Sequence, residues 1–174
     1  MLPKLMEHNN WANLRLVEAC LKLTDEQLDA TPLPTSEWSV RQTLTHFVTS
    51  QHGYLSLLTL PPEERQKPSL ELTELEASVR QSGEGLLALA LEPSRINPDT
   101  KIPTTDGYSV EPWVVMVQAI THATEHRRQV SRMLRILGVT PPDLSAWAFG
   151  EATNALVPNH EKPNANDLSP EVNP

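Results

Sequence analysis

The sequence predicts an all-α protein: a four-helix bundle with a long crossover between helices three and four and a short C-terminal helix. Three observations support this prediction. Four segments repeat apolar residues at the spacing of one helix face, prolines or glycine mark most of their ends, and no alternating apolar run is long enough for the core of a sheet. The connection before the fourth helix, residues 92–109, is long enough to cross one end of the bundle.

The first two helices are predicted from apolar periodicity and from end signals. Helix one covers residues 3 to about 23, because apolar residues recur every three or four positions and Pro3 stands where a first turn tolerates proline. A proline-rich segment, residues 31–34, separates it from helix two. Ser39 and Gln42 have the spacing of a capping box, so helix two is predicted from Ser39 to about Leu60.

Helix three is predicted to follow a second capping box, Thr73 with Glu76, and to continue to Leu91. The next segment, residues 92–109, contains three prolines and the turn dipeptide Asp106-Gly107. We therefore predict no helix there, but a short hairpin over residues 101–110.

Helix four is predicted to begin at Pro112 and to end at Gly138, which makes it the longest helix of the chain. A short amphipathic helix follows at about residues 143–149. Residues 1–157 are predicted to form the bundle. Residues 158–174 show no apolar periodicity and are predicted to be a disordered tail.

Charge and apolar content exclude several functional classes. The net charge of −8 disfavours binding to nucleic acid or to an anionic membrane surface. The chain has no apolar run near the roughly 20 residues that span a bilayer, and its N-terminus lacks a signal-peptide pattern. The single cysteine, Cys20, cannot form an intrachain disulfide and is predicted to be a buried thiol. We therefore expect a cytoplasmic protein.

His122 and His126 are the most informative residues, because a spacing of four positions stacks both imidazoles on one face of helix four. Apolar residues share that face, which turns both rings toward the bundle interior. Such a pair can bind one divalent metal ion, or it can be two core histidines with hydrogen-bond partners. Spacing alone favours the second interpretation, since such pairs arise by chance and the H-E-x-x-H motif is absent.

His46 on helix two is the natural third ligand, because small side chains on its face leave room around the ring. Three histidines from two facing helices leave one coordination position open, as catalytic sites do. Arg127 and Arg128 are candidates for binding an anionic group of a substrate, with a solvated face or a salt bridge as the alternative. Glu125 is expected to be a solvated or interface carboxylate rather than a ligand.

Three segments resemble the DinB-like superfamily of metal-binding four-helix bundles. Residues 11–13, Trp-Ala-Asn, are similar to the opening of that family's first helix. Residues 38–46, Trp-Ser-Val-Arg-Gln-Thr-Leu-Thr-His, are similar to its helix-two signature, which ends in a ligand histidine. Residues 122–129, His-Ala-Thr-Glu-His-Arg-Arg-Gln, are similar to its H-x-x-x-H-R-G-Q motif, with Arg128 in place of the glycine. The resemblance covers about residues 3–150.

The resemblance implies that His46, His122 and His126 bind a divalent ion, zinc or a nickel-like metal, and that the bundle forms a homodimer. Characterised relatives include S-transferases that use low-molecular-weight thiols such as bacillithiol or mycothiol, and a thiol-dependent maleylpyruvate isomerase. The leading hypothesis is therefore a metal-dependent enzyme that transfers a thiol to a small-molecule substrate.

Two alternatives stay open at this point. One is a metal-dependent hydrolase in which Glu125 or another nearby carboxylate is the base. The other is a non-catalytic stress-response protein that binds a metal or a small ligand, with the ion as a structural clip. Arg128 is expected to leave the ligands intact and to change the charge of the adjoining surface.

Overall fold

The computed structural model describes residues 1–104 and 107–157, and most of them are α-helical. Its helices are α1 (Leu2–Cys20), α2 (Asp25–Asp29), α3 (Val40–Thr59), α4 (Leu75–Leu91), α5 (Pro112–Ile136) and α6 (Ala146–Ala152). Strands β1 (Ile102–Pro103) and β2 (Ser109–Val110) form a small antiparallel hairpin. The all-α fold class predicted from the sequence is confirmed. Asp106 of the predicted turn and the predicted tail, residues 158–174, lie outside the described residues.

The four long helices form a ring in which α1 packs against α4 and α5, and α3 packs against the same two helices. The pair α4 and α5 is therefore diagonal in the bundle. The chain that joins them must cross one end of the bundle, which accounts for the length of the predicted crossover. α5 has 25 residues and is the longest helix described. At a rise of 1.5 Å per residue it is about 37 Å long, enough to run along both neighbours.

Three local predictions differ from the structure. Helix one ends at Cys20 rather than near residue 23, and the short helix α2 follows, capped by Thr24 and Gln27. The capping box predicted at Thr73 is wrong. Glu71 and Glu74 form it instead, because Leu72–Glu74 is a 3₁₀ turn that displaces the start of α4 to Leu75. A further 3₁₀ turn, Pro93–Arg95, lies in the segment for which we predicted no helix.

The core consists of two apolar clusters around the four long helices. The larger contains Phe47 and Leu44 of α3 with Met133 and Leu134 of α5. Cys20 is fully buried in it, and burial raises the pKa of this thiol to about 12. The thiol is therefore protonated and inert at neutral pH, as expected for a core cysteine.

A chain of buried polar side chains crosses the apolar core. Arg127 of α5 donates from Nη1 to Asn9 Oδ1 at 2.7 Å and to Asn13 Oδ1, both on α1. Asn13 Nδ2 then donates to Gln51 Oε1 on α3 at 2.5 Å, and Gln51 Nε2 donates to Ser82 Oγ on α4 at 2.8 Å. These hydrogen-bonded side chains link all four long helices. Because a shifted helix would leave these groups unpaired in the core, they fix the register of α5, which carries two of the predicted ligands.

Within the described ranges 1–104 and 107–157, no helix combines the length and apolar character required to cross a membrane.

Candidate metal centre

Three histidine side chains converge between α3 and α5. His122 Nε2 lies 3.2 Å from His46 Nε2 and 3.2 Å from His126 Nε2. One nitrogen from each of the three rings lies within 4.8 Å of the others, and all three residues are half-buried. The two neighbours on α5 come from the four-residue spacing, while His46 reaches them from the facing helix. The structure therefore brings together the three residues that the sequence predicted as ligands, close enough to bind one ion.

These distances fit a shared metal ion better than a set of hydrogen bonds. Two nitrogens that each lie about 2.05 Å from a tetrahedral zinc ion are about 3.3 Å apart. Each neutral imidazole nitrogen, by contrast, offers either one N–H or one lone pair. His122 Nε2 therefore cannot make good hydrogen bonds to two Nε2 atoms at once. An ion placed between the three rings would satisfy all of them.

The surroundings of the three rings disfavour protonation. Burial, followed by the proximity of His126 and His46, lowers the pKa of His122 to about 4. Burial also lowers the pKa of His46, with further contributions from His126 and from Lys67. At neutral pH both rings are therefore neutral, which is the form of imidazole that binds metal.

The ring of His126 is oriented by a polar neighbour on its own helix. Its Nδ1 lies 3.0 Å from Gln129 Oε1, an acceptor, so Nδ1 carries the proton and Nε2 keeps its lone pair. Gln129 Nε2 lies 3.4 Å from Ser36 Oγ, which also accepts the Trp38 backbone N–H. The Trp38 ring packs against His46 with centroids 4.8 Å apart. The loop before α3 thus supports two of the three candidate ligands.

A cavity of about 860 Å³ lies beside the triad, between α3, α5 and the hairpin. Ser50, one turn after His46, and Gln118, one turn before His122, line it. Tyr54 also lines it and packs edge-on against His122, with centroids 5.6 Å apart. Tyr54 therefore connects the cavity to His122, although none of the three triad histidines lines the cavity.

Two cationic side chains line the same cavity in different ways. Arg65 donates to three backbone carbonyls, including Pro103 O at 2.7 Å, and so ties the hairpin to the end of α3. Lys67 is exposed, and its charge reaches His46 strongly enough to lower the pKa of that ring. Among the described residues, Lys67 is the cation of this cavity with no ion-pair or hydrogen-bond partner. It is available to bind an anionic group of a ligand.

The other residues singled out in the sequence lie elsewhere. Glu125 is exposed and does not line the cavity beside the triad. Arg127 is buried in the polar chain, and Arg128 is exposed; both line a second cavity, between α1 and α5. His8 packs against Trp11 and Phe149 and contacts Leu144 O at 3.0 Å. None of these four side chains forms a hydrogen bond, ion pair or ring contact with the triad in the described structure.

Comparison with known proteins identifies the family of the chain. The model of the DinB family matches residues 1–162, which is nearly the whole sequence. The chain belongs to the DinB family. Among solved structures, it is similar to the crystal structure of a candidate DinB member from Exiguobacterium sibiricum 255-15, with a TM-score of 0.63 at 18% identity. That match covers 83% of this chain and 97% of the other chain, and at such low identity it shows the fold alone. The search of curated proteins found no match.

Three residues of this DinB protein's site were missed by sequence reasoning: Gln129, Tyr54 and Lys67. Gln129 is part of the motif already noted and lies three positions after His126, where a helix places neighbouring side chains, so spacing offered a signal. Tyr54 lies two turns after His46 on the same face, which is a weaker signal. Lys67 lies in a loop, and nothing in the sequence indicates that this loop lines the cavity beside the triad.

We expect Gln129→Leu to weaken zinc binding about 10- to 100-fold, because it removes the acceptor that orients His126. Gln129→Glu keeps an acceptor of the same length and should bind zinc within a few-fold of the wild type. Competition with a chromophoric chelator measures both affinities. Equal affinities for wild type and Gln129→Leu would show that this contact does not orient the ligand.

The depressed pKa values predict how the metal-free DinB protein responds to acid. An unfolded histidine has a pKa of about 6.5, whereas folded His122 has a pKa of about 4. Between these values the unfolded chain binds more protons than the folded one, so stability decreases as the pH decreases through this window. We expect the Tm of chelator-treated protein to decrease from pH about 6.5 to about 4. The decrease in Tm should be smaller in His122→Asn, and differential scanning calorimetry measures it in both proteins. The same dependence of Tm on pH in both proteins would contradict the lowered pKa of His122.

Proposed function

We propose that this DinB protein is a metal-dependent enzyme that transfers a low-molecular-weight thiol to an electrophilic small molecule. The observation that supports the proposal is the convergence of three imidazole nitrogens, with 3.2 Å contacts, beside a cavity large enough for a small substrate. Three ligands leave a tetrahedral ion one open position, which distinguishes a catalytic site from a closed structural one.

The donor set suits zinc or nickel. Imidazole nitrogens bind both metals well, and no carboxylate joins the cluster of described ligands, which disfavours magnesium or calcium. When bound, a divalent ion supplies Lewis acidity that favours the deprotonated form of a thiol at neutral pH.

The residues of the chain would then orient and bind the reactants. Burial raises the pKa of Tyr54, so the phenol of this cavity-lining residue is protonated at neutral pH, and its ring packs against His122. Lys67 offers a positive charge at the mouth of the cavity, suited to a carboxylate of the thiol. The cavity walls include the apolar side chains of Leu57, Val114 and Val115, which can contact apolar parts of the electrophile.

The composition of the cavity favours thiol transfer over hydrolysis. Hydrolysis needs a base to activate water, and no Asp or Glu is among the described residues that line this cavity. Glu125, the base considered for the hydrolase alternative, is exposed and lines other cavities. A thiol loses its proton more readily than water does and depends less on such a base.

The experiment is turnover of a chloronitrobenzene by zinc-loaded protein with and without a carboxylate-bearing thiol. In this reaction the thiol sulfur replaces chloride on the ring, chloride is released, and the thiol proton passes to solvent. We expect product only with thiol, and less than about 1% of that rate in His46→Ala, since removal of a ligand disrupts the site. Thiol-independent turnover would support a hydrolase instead. If metal removal unfolds the protein and no turnover is detectable, the ion is a structural clip and the proposal is wrong.

Lys67→Gln tests the role assigned to the cation. We expect the KM for the carboxylate-bearing thiol to increase about three- to tenfold, while the KM for an uncharged thiol stays the same, because the lost attraction acts on the carboxylate alone. Lys22→Gln, which removes an exposed lysine outside this cavity, is the matched control. An equal KM change for both thiols would contradict the role of Lys67.

A further inference from the structure

We propose that the second cavity, between α1 and α5, binds a small molecule that carries two or more phosphate or carboxylate groups. This cavity measures about 1010 Å³ and is also lined by the segment from Pro141 to Ser145. We call it the arginine groove, because Arg127, Arg128, Arg132 and Arg135 of α5 all line it. The proposed site lies outside the cavity assigned to thiol transfer and does not depend on that function.

The charges of the arginine groove are not balanced by the protein. Within residues 1–104 and 107–157, none of the four arginines forms an ion pair, whereas Arg15, Arg41, Arg80 and Arg95 all lie within 4 Å of a carboxylate oxygen. Two acidic residues, Glu125 and Asp143, line the groove with them, and Asp143 accepts the Ser145 backbone N–H. In a chain with a net charge of −8, this concentration of unpaired cations favours an anionic ligand.

The arrangement along α5 fits a ligand with more than one anionic group. Arg128 and Arg132 are one turn apart, and Arg135 follows less than one turn later on the same side of the helix. All three are exposed, so their guanidinium groups can move onto separate phosphate or carboxylate groups. A ligand with a single charge would engage one of them and leave the rest unpaired.

The floor of the groove holds a cation whose charge lacks a counter-ion. Arg127 is 6% exposed, and its three hydrogen-bond acceptors are the neutral oxygens of Asn9, Asn13 and Thr124. Asn9 also lines the groove, is 1% exposed, and has an Nδ2 group without a partner in the described structure. Unpaired buried donors are rare in folded proteins. An anion in the groove would supply the missing negative charge next to Arg127.

The groove and the metal centre share Gln129 and Ser36. Both residues line the groove, and Gln129 also contacts His126 Nδ1. None of the three triad histidines lines the groove, and Gln129 connects it to His126. Because Gln129 contacts both, an anion that displaces its side chain would alter zinc affinity, and by linkage zinc would alter anion affinity by the same factor.

The test is titration of the full chain, purified without a His tag, with fructose 1,6-bisphosphate and with tricarballylate, followed by calorimetry. We expect saturable binding of at least one probe with one molecule per chain, and the tighter probe identifies phosphate or carboxylate as the preferred group. Arg132→Gln combined with Arg135→Gln should weaken binding about tenfold or more, since two charge-assisted contacts are lost. Arg80→Gln, an exposed arginine of α4, should leave the affinity within about twofold.

His122→Ala separates this proposal from the proposed enzyme function. That variant removes a triad histidine but no residue of the arginine groove, so we expect it to bind the anion as the wild type does when both proteins are metal-free and no coupling through Gln129 operates. Loss of anion binding in His122→Ala would show that the probe binds at the metal centre, and the proposal would be wrong. It would also be wrong if neither probe binds saturably, or if Arg80→Gln weakens binding as much as the double variant.

Discussion

His122→Ala is expected to abolish stoichiometric zinc binding, with an affinity loss of more than about 100-fold, since even the neighbours of metal ligands contribute 10- to 100-fold. His122 is the central member of the triad, because its Nε2 lies 3.2 Å from the Nε2 atoms of both His46 and His126. Removing it leaves two ligands on different helices. Chelator competition measures the affinity, and far-UV circular dichroism shows whether the helices persist.

His52→Ala is the matched control for this prediction. His52 lies on α3, as His46 does, and is also half-buried, but its contact is with Ser56 rather than with the triad. We expect it to bind zinc as the wild type does. An equal loss in both variants would mean that zinc binding depends on general stability rather than on the three histidines.

Asn13→Leu is expected to destabilise the fold by about 3 kcal/mol, because it removes an acceptor of a buried guanidinium and the donor to Gln51. Burial alone already lowers the pKa of Arg127 to about 10, which shows that its charged form is poorly solvated. Without Asn13, the buried guanidinium of Arg127 has two hydrogen-bond acceptors left, Asn9 Oδ1 and Thr124 Oγ1, and both are neutral. Urea unfolding followed by circular dichroism gives the change in the free energy of unfolding.

A double-mutant cycle assigns this loss to the buried cation. Arg127→Leu removes the buried charge. In that background, Asn13→Leu should reduce the free energy of unfolding by at least about 1 kcal/mol less than it does in the wild type. If the two changes in unfolding free energy are additive, Asn13 stabilises the fold through packing or through Gln51 rather than through Arg127. The cycle therefore tests whether the stabilisation by Asn13 depends on the charge of Arg127.

The fold and the clustering of the three histidines were predictable because their signals are local. Four-residue spacing is a property of one helix, so His122 and His126 must share a face wherever α5 packs. Ser39 and Gln42 cap α3 as the sequence predicted, which fixes where His46 falls along that helix. The facing arrangement of α3 and α5 then follows from bundle packing, and the family motifs indicate the same three residues.

The surroundings of the triad were not predictable, because they depend on how distant segments pack. Arginine is rarely buried, so nothing in the sequence favoured Arg127 as the centre of a polar chain in the core. Its partners Asn9 and Asn13 come from α1, more than 100 residues away in sequence. Lys67 reaches the cavity through a loop without periodicity. Contacts of this kind depend on the tertiary fold rather than on local pattern.

Elemental analysis of protein purified without a His tag tests most directly whether His46, His122 and His126 bind one divalent ion. We predict about one zinc or nickel ion per chain in the wild type and none in a variant with all three histidines changed to alanine. A wild-type protein without a stoichiometric divalent ion, or a triple variant that retains it, would contradict the claim.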